Sequence, residues 1–139
     1  MNVVSQDSRV TALEAAIKAQ PQVELPVRSH FDFGVYQRVG FIPAETVCTG
    51  AVHLYAGTFV LAKGTLLMDG EVLHAPYSVT TLPGTKRAMY AVTDCVVIAV
   101  IESDVQTEVE AEATLVVPTY QDFNNLLEVS CHSSLQGPG

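Results

Sequence analysis

From Phe41 to Ile101 the apolar residues come in short runs cut at regular intervals by turn residues. In Gly50 to Tyr55, Val52 and Leu54 alternate with Ala51, His53 and Tyr55, the pattern of a half-buried strand. A run from Thr58 to Ala62 is followed by Lys63 and Gly64, and Thr65 to Met68 meets Glu71 to His74 across Asp69 and Gly70. An Asp-Gly pair between apolar runs predicts a hairpin, because a type I′ turn needs positive φ at both central residues. Pro76 opens Tyr77 to Leu82, Pro83 and Gly84 close it, and Lys86 to Ala91 and Cys95 to Ile101 complete the series. Turn signals every 8 to 12 residues or so, with no helical period between them, predict an antiparallel sandwich or small barrel.

The flanks read differently. Met1 to Asp7 has no period and is expected to be a tether. From Ser8 to Gln20, Val10, Leu13 and Ile17 define a short amphipathic helix that Ser8, or Thr11 with Glu14, can cap and that Pro21 ends. It either packs on the sheet or docks against a neighbouring subunit. Gln22 to Arg28 alternates Val23, Leu25 and Val27 around Pro26, which marks an edge strand or an arm. Ser29 to Gly34 then leads into a strand from Val35 to Ile42.

After Ile101 the chain turns acidic. Between 103 and 117 both a helix and a strand fit, and Asp104, Glu108, Glu110 and Glu112 favour a helix capped by Ser103. Leu115 to Val117 is a short apolar run broken by Pro118, and Tyr120 to Leu127 puts Phe123, Leu126 and Leu127 on one helical face. The Ser-, Gly- and Pro-containing stretch from Ser130 to Gly139 is expected to be a flexible or wrapped tail. One structural domain with arms results: a tether and helix over 1–21, a core over 22–102 and a C-terminal extension over 103–139.

Composition sharpens the picture. The chain has 139 residues, enough for a buried core, of which 48% are hydrophobic and only 16% charged. So few charged groups clothe a monomer poorly and point to an oligomer or an assembly component. A formal net charge of -8 opposes phosphate binding, so nucleic acid is not expected as a partner. No apolar run approaches a membrane span and no signal peptide precedes the helix, so neither membrane insertion nor export is expected. Cys48, Cys95 and Cys131 lack CxxC spacing and read as reduced thiols.

Candidate chemistry is sparse. His30, His74 and His132 share no ligand spacing with His53, and His30 reads as structural or exposed. Lys86 and Arg87 form a basic pair directly after the Pro-Gly turn. They serve either as an anion or carboxylate contact or as strand-start charges that face solvent or bond a nearby carboxylate.

The Pro43-Ala44-Glu45-Thr46 turn, His53 on the segment that follows, Gly64, and Leu82-Pro83-Gly84-Thr85 together resemble the two signature motifs of the cupins. That resemblance implies a double-stranded β-helix jelly roll, often with a metal inside. Set on the first motif, Glu45 takes the opening glycine, Ala51 and His53 the two histidines, Gly57 the glutamate and Gly64 the closing glycine. On the second, Leu82 takes the proline, Gly84 the glycine and Arg87 the histidine. One imidazole facing a guanidinium is no metal site, so neither metal nor other cofactor is expected.

A narrower resemblance is to cupin-like proteins of tailed bacteriophages. It rests on Leu13-Glu14-Ala15, Ala19-Gln20-Pro21, His30-Phe31, Gly34 to Tyr36, Phe41-Ile42-Pro43-Ala44, His53, Ala75-Pro76 and Pro83-Gly84-Thr85-Lys86-Arg87, followed by Tyr90 and Asp94. Joined to the charge-poor composition and the arms, it implies a non-enzymatic virion structural protein, made in the host cytoplasm. The expected form is a capsid decoration or cement protein, trimeric and bound to the major capsid protein. The alternatives are a metal-independent cupin enzyme or small-molecule binder and, further, a tail or adaptor protein. His53, Tyr55, Lys86, Arg87 and Tyr90 are the candidate pocket or contact residues, and no residue is assigned as catalytic.

Overall fold

A computed structural model describes residues 6–20 and 24–136, with side chains at 9–20 and 24–128. In chain order the elements are α1 (Gln6–Lys18), β1 (Val27–Asp32), β2 (Val35–Ile42), β3 (Val47–Thr49), β4 (Val52–His53), β5 (Gly57–Lys63), β6 (Thr65–Met68), β7 (Glu71–His74), β8 (Tyr77–Thr81), β9 (Ala88–Ala91), β10 (Cys95–Glu102), α2 (Glu108–Thr114), β11 (Val116–Val117) and α3 (Tyr120–Gln136). A five-stranded antiparallel sheet in the order β1-β2-β10-β5-β8 faces a four-stranded sheet in the order β3-β9-β6-β7, and β11 pairs with β4 at one end. This is a mainly β jelly-roll sandwich with helices at its termini.

The core lies between the two large sheets. Ile42, Phe59, Leu61 and Cys95 come from the first, and Leu66, Met68, Leu73 and Ala91 from the second. Inward residues alternate with outward ones, as a pleated strand requires. A second apolar cluster of Tyr36, Ile101, Ala111 and Leu115 lies under α2.

Turn chemistry sets the registers. Asp69 and Gly70 both take positive φ, 50° and 84°, and join β6 to β7 with Met68 opposite Glu71, the hairpin predicted from the sequence. Gly64 has φ +94°, and a Cβ there would stand 2.3 Å from the Asp94 carbonyl oxygen. Gly64→Ala is therefore expected to destabilise the protein by roughly 1–3 kcal/mol, through left-handed strain and this contact, as measured by urea denaturation.

Several expectations are corrected. Phe33 and Gly34, at φ 52° and 74°, turn β1 back onto β2, so Ser29 to Asp32 is a paired edge strand rather than a lead-in. The strand expected from Gly50 to Tyr55 shrinks to Val52 and His53. Its flanking N–H groups bond loop carbonyls instead, Gly50 to Arg87 and Leu54 to Leu115. Thr107, not Ser103, caps α2: its Oγ1 accepts from the Glu110 N–H at 3.1 Å, while Glu110 reaches back to the Gln106 N–H at 2.7 Å. The Thr-x-x-Glu spacing outcompetes Ser103, whose Oγ accepts from the Val105 N–H. The stretch expected to be a flexible tail continues α3 through residue 136, since serine is tolerated in a helix and no Gly or Pro intervenes before 137. The expected Met1–Asp7 tether lies outside the described residues up to residue 5, and α1 already begins at Gln6. Residues 21–23 of the alternating segment and the end of the tail also lie outside them.

Candidate functional site

The inward faces of the five-stranded sheet and the loop after β8 enclose a cavity of about 500 Å³, with α2 along one side. Strand alternation supplies its wall: Tyr36, Arg38 and Gly40 from β2, Phe59 from β5, and Val97, Ala99 and Ile101 from β10. His53 enters from β4, Arg87 from the end of the Pro83–Gly84 loop, and Glu108, Ala111 and Glu112 from α2.

Two of the five candidates, His53 and Arg87, meet in this cup. The other three do not. Tyr55 is 54% exposed outside it. Tyr90 lines a smaller cleft of about 290 Å³ beside α1, with Arg9, Val10, Leu13 and Leu67.

Lys86 is buried, so of the alternatives open to the basic pair it takes the bond to a carboxylate and not the solvent-facing position. Neighbouring extended residues point to opposite sides, so Lys86 leaves the cup as Arg87 enters it. Its ammonium lies 2.8 Å from the Glu14 carboxylate of α1, donates at 2.8 Å to the Pro118 carbonyl, and sits over the Tyr120 ring. One buried cation thus ties both terminal helices to the sandwich. Glu14 also accepts from Thr49, and Val10 is 1% exposed.

Arg87 is 8% exposed, and its guanidinium donates to Thr81 Oγ1 at 2.9 Å and lies 4.8 Å above the Phe59 ring. Among the described residues no carboxylate stands within 4.0 Å of it. His53 Nδ1 is buried without a hydrogen-bond partner. Burial, helped by the charges of Arg87 and Arg38, lowers the imidazole to about 4, so it is neutral at physiological pH.

Glu108 is the wall residue that sequence reasoning missed. Tyr36 Oη donates to both its oxygens, at 2.7 and 2.9 Å, Ser29 Oγ donates to Oε1, and Arg38 stands 4.0 Å away. Burial and then Glu108 push the Tyr36 phenol far up, so it remains a donor. The inward alternation of Tyr36 and Arg38 was a signal for this wall, but nothing in the spacing ties it to a glutamate so far along the chain.

The cup does not fit a metal. Among the described residues no three His, Cys, Asp or Glu side chains gather as ligands. Gly57 has no room for one, because its Cβ would stand 2.5 Å from the Val100 carbonyl oxygen. Added Mn, Fe, Ni or Zn is expected to leave the melting temperature unchanged, whereas a rise on titration would reveal a site specific to the folded state.

Cys48 is half-buried and Cys95 buried, both free thiols, and burial raises the Cys48 thiol to about 11. His30 and His74 are exposed and lie outside the cup, and no helix among the described residues is long and apolar enough to cross a membrane.

No protein-family model and no curated sequence matches the chain significantly. Solved structures do. A Cupin_2 domain of an XRE family transcriptional regulator from Enterobacter cloacae is similar at 16% identity and a TM-score of 0.47, over 56% of this chain and 95% of that one. A cupin-2 domain containing protein from Shewanella frigidimarina is similar at 13% identity and a TM-score of 0.43, over 65% and 91%. An acetylacetone dioxygenase from Acinetobacter johnsonii is similar at 14% identity and a TM-score of 0.44, over 56% of this chain and 58% of its own length. At these identities and TM-scores the likeness carries neither a family nor an activity to this chain, whose jelly-roll sandwich rests on its own sheet order.

Proposed function

We propose that the chain is a non-enzymatic structural protein of a tailed-phage virion, a homo-oligomer seated on the capsid shell as a decoration protein. The observation that carries this reading is the outer face of the five-stranded sheet. Val39 and Phe41 of β2, Val96, Ile98 and Val100 of β10 and Val60 of β5 all point outward by alternation, and the register sets Val39, Ile98 and Val60 in one row. A solvated face of an antiparallel sheet ordinarily reads polar. Here the central strands are apolar on both sides, and the helices pack elsewhere, α1 on β3 and α2 and α3 on β11.

An apolar face of this breadth, partly buried in the single chain, favours a partner, and a second copy of the chain offers the same chemistry. The charge-poor composition fits a protein that hides surface in an assembly. The virion setting rests on the resemblance carried by Pro83-Gly84-Thr85-Lys86-Arg87 and its companion residues. A tail or adaptor location would differ in copy number per particle.

Light scattering on the purified protein tests self-association. A mass of two or three times 14.9 kDa at micromolar concentration is expected, and a stable monomer would contradict it. The cup favours a second reading beside this one, a metal-independent small-molecule binder, because a concave cavity holding its own buried cation is a ligand site in form.

A further inference from the structure

We infer that the cup is a receptor for a small organic monocarboxylate, with the Arg87 guanidinium and the His53 imidazole holding the carboxylate and the apolar wall holding the rest. The inference does not depend on the assembly reading.

The first ground is an uncompensated charge. Burying a guanidinium is costly unless a partner supplies the opposite charge, and among the described residues Arg87 has only a hydroxyl and an aromatic face within reach. Asp69 and Tyr77 act on it only through longer-range electrostatics, which burial outweighs. Its planar fork suits a carboxylate, which can take two parallel N–H bonds.

The second ground is His53. Its Nδ1 is buried beside the same cavity with nothing to bond. A buried polar atom of this kind calls for a ligand or a water. A neutral imidazole can donate one N–H to a carboxylate oxygen without adding a second buried charge.

The surroundings narrow the class. Phe59, Met89, Val97 and Ile101 make the wall mainly apolar, so the body of the ligand is hydrocarbon or aryl. Glu108 and Glu112 also line the cavity and repel a second negative charge. Glu108 is already engaged by Tyr36, Ser29 and Arg38. Two donors satisfy a monoanion but leave a phosphate dianion short of partners, so phosphate is disfavoured.

The experiment uses the full chain with benzoate and hexanoate, their uncharged counterparts benzamide and hexanamide, and inorganic phosphate. Binding is read by calorimetry and by the imidazole resonances of His53 in NMR. The carboxylates are expected to bind and shift His53, with the amides and phosphate about tenfold to a hundredfold weaker, the weight of a charge-assisted hydrogen bond. Arg87→Met keeps the length and apolar stem, and is expected to lose the carboxylate preference by the same factor. If that variant does not fold, Arg87→Lys, which keeps the charge without the fork, serves instead and is expected to bind carboxylate more weakly than the unmodified protein. Amides or phosphate binding as well as carboxylates, an Arg87 variant of unchanged preference, or no His53 shift at millimolar carboxylate would each overturn the assignment.

Discussion

Replacing Ile98 with lysine is expected to convert the proposed oligomer to monomers while leaving the sandwich folded. Ile98 sits between Val39 and Val60 in the middle of the apolar row, so an ammonium there would be buried without a partner in any complex that uses this face. Such burial costs several kcal/mol, and about 3 kcal/mol weakens self-association by more than a hundredfold. In the isolated subunit the position is only partly buried on the outer side of the sheet, so the long lysine stem can carry its ammonium to water and the cost to stability should be small beside that to association. Light scattering and thermal melts on the Ile98→Lys protein separate the two effects. An intact oligomer with an unchanged melting curve would show that subunits meet elsewhere.

The second large effect is expected at the clasp between Lys86 and Glu14. The Lys86 side chain is 2% exposed and that of Glu14 19%, so Glu14→Ala strands a buried ammonium that, among the described residues, keeps only the Pro118 carbonyl and the Tyr120 ring. A loss of about 3 kcal/mol is expected from removing one partner of a buried pair. Replacing both, Glu14→Leu with Lys86→Met, should restore much of it, because no uncompensated charge remains. Urea denaturation of the two single variants and the double one closes the cycle, and simple additivity would show that the pair is not coupled.

The same clasp sets an acid limit. Burial alone would raise the Glu14 carboxyl, but hydrogen bonds from Lys86 and Thr49 and the charges of Lys86 and Lys18 outweigh it and hold the group below its ordinary value of 4.5. A depressed carboxyl stabilises the fold above its unfolded value, and the contribution disappears as pH falls through the folded one. Stability of the wild type should therefore drop below pH 4.5 more steeply than that of the double variant.

Local chemistry made much of this architecture legible in the sequence. Asp69-Gly70 can hardly be anything but a tight turn, and β5 to β8 follow from runs bounded by Gly and Pro. Motif spacing pairs His53 with Arg87, and both line one cavity. What stayed hidden depends on distant partners. Lys86 and Arg87 look equivalent as neighbours, and only a glutamate on the N-terminal helix and a phenyl ring on β5 divide their roles. The β1 hairpin was obscured because its turn places a phenylalanine, Phe33, at positive φ, where Asn, Asp or Gly would have signalled it. The Glu108 wall needed the fold itself, since Tyr36 and Ser29 meet it across most of the chain.

Quantitative mass spectrometry of purified particles of the tailed phage proposed to encode this chain tests the central proposal most directly. The account predicts this chain in particles washed free of lysate protein, at a fixed and high ratio to the major capsid protein. Its absence from washed particles, with the chain abundant in the infected-cell lysate, would contradict a virion structural role.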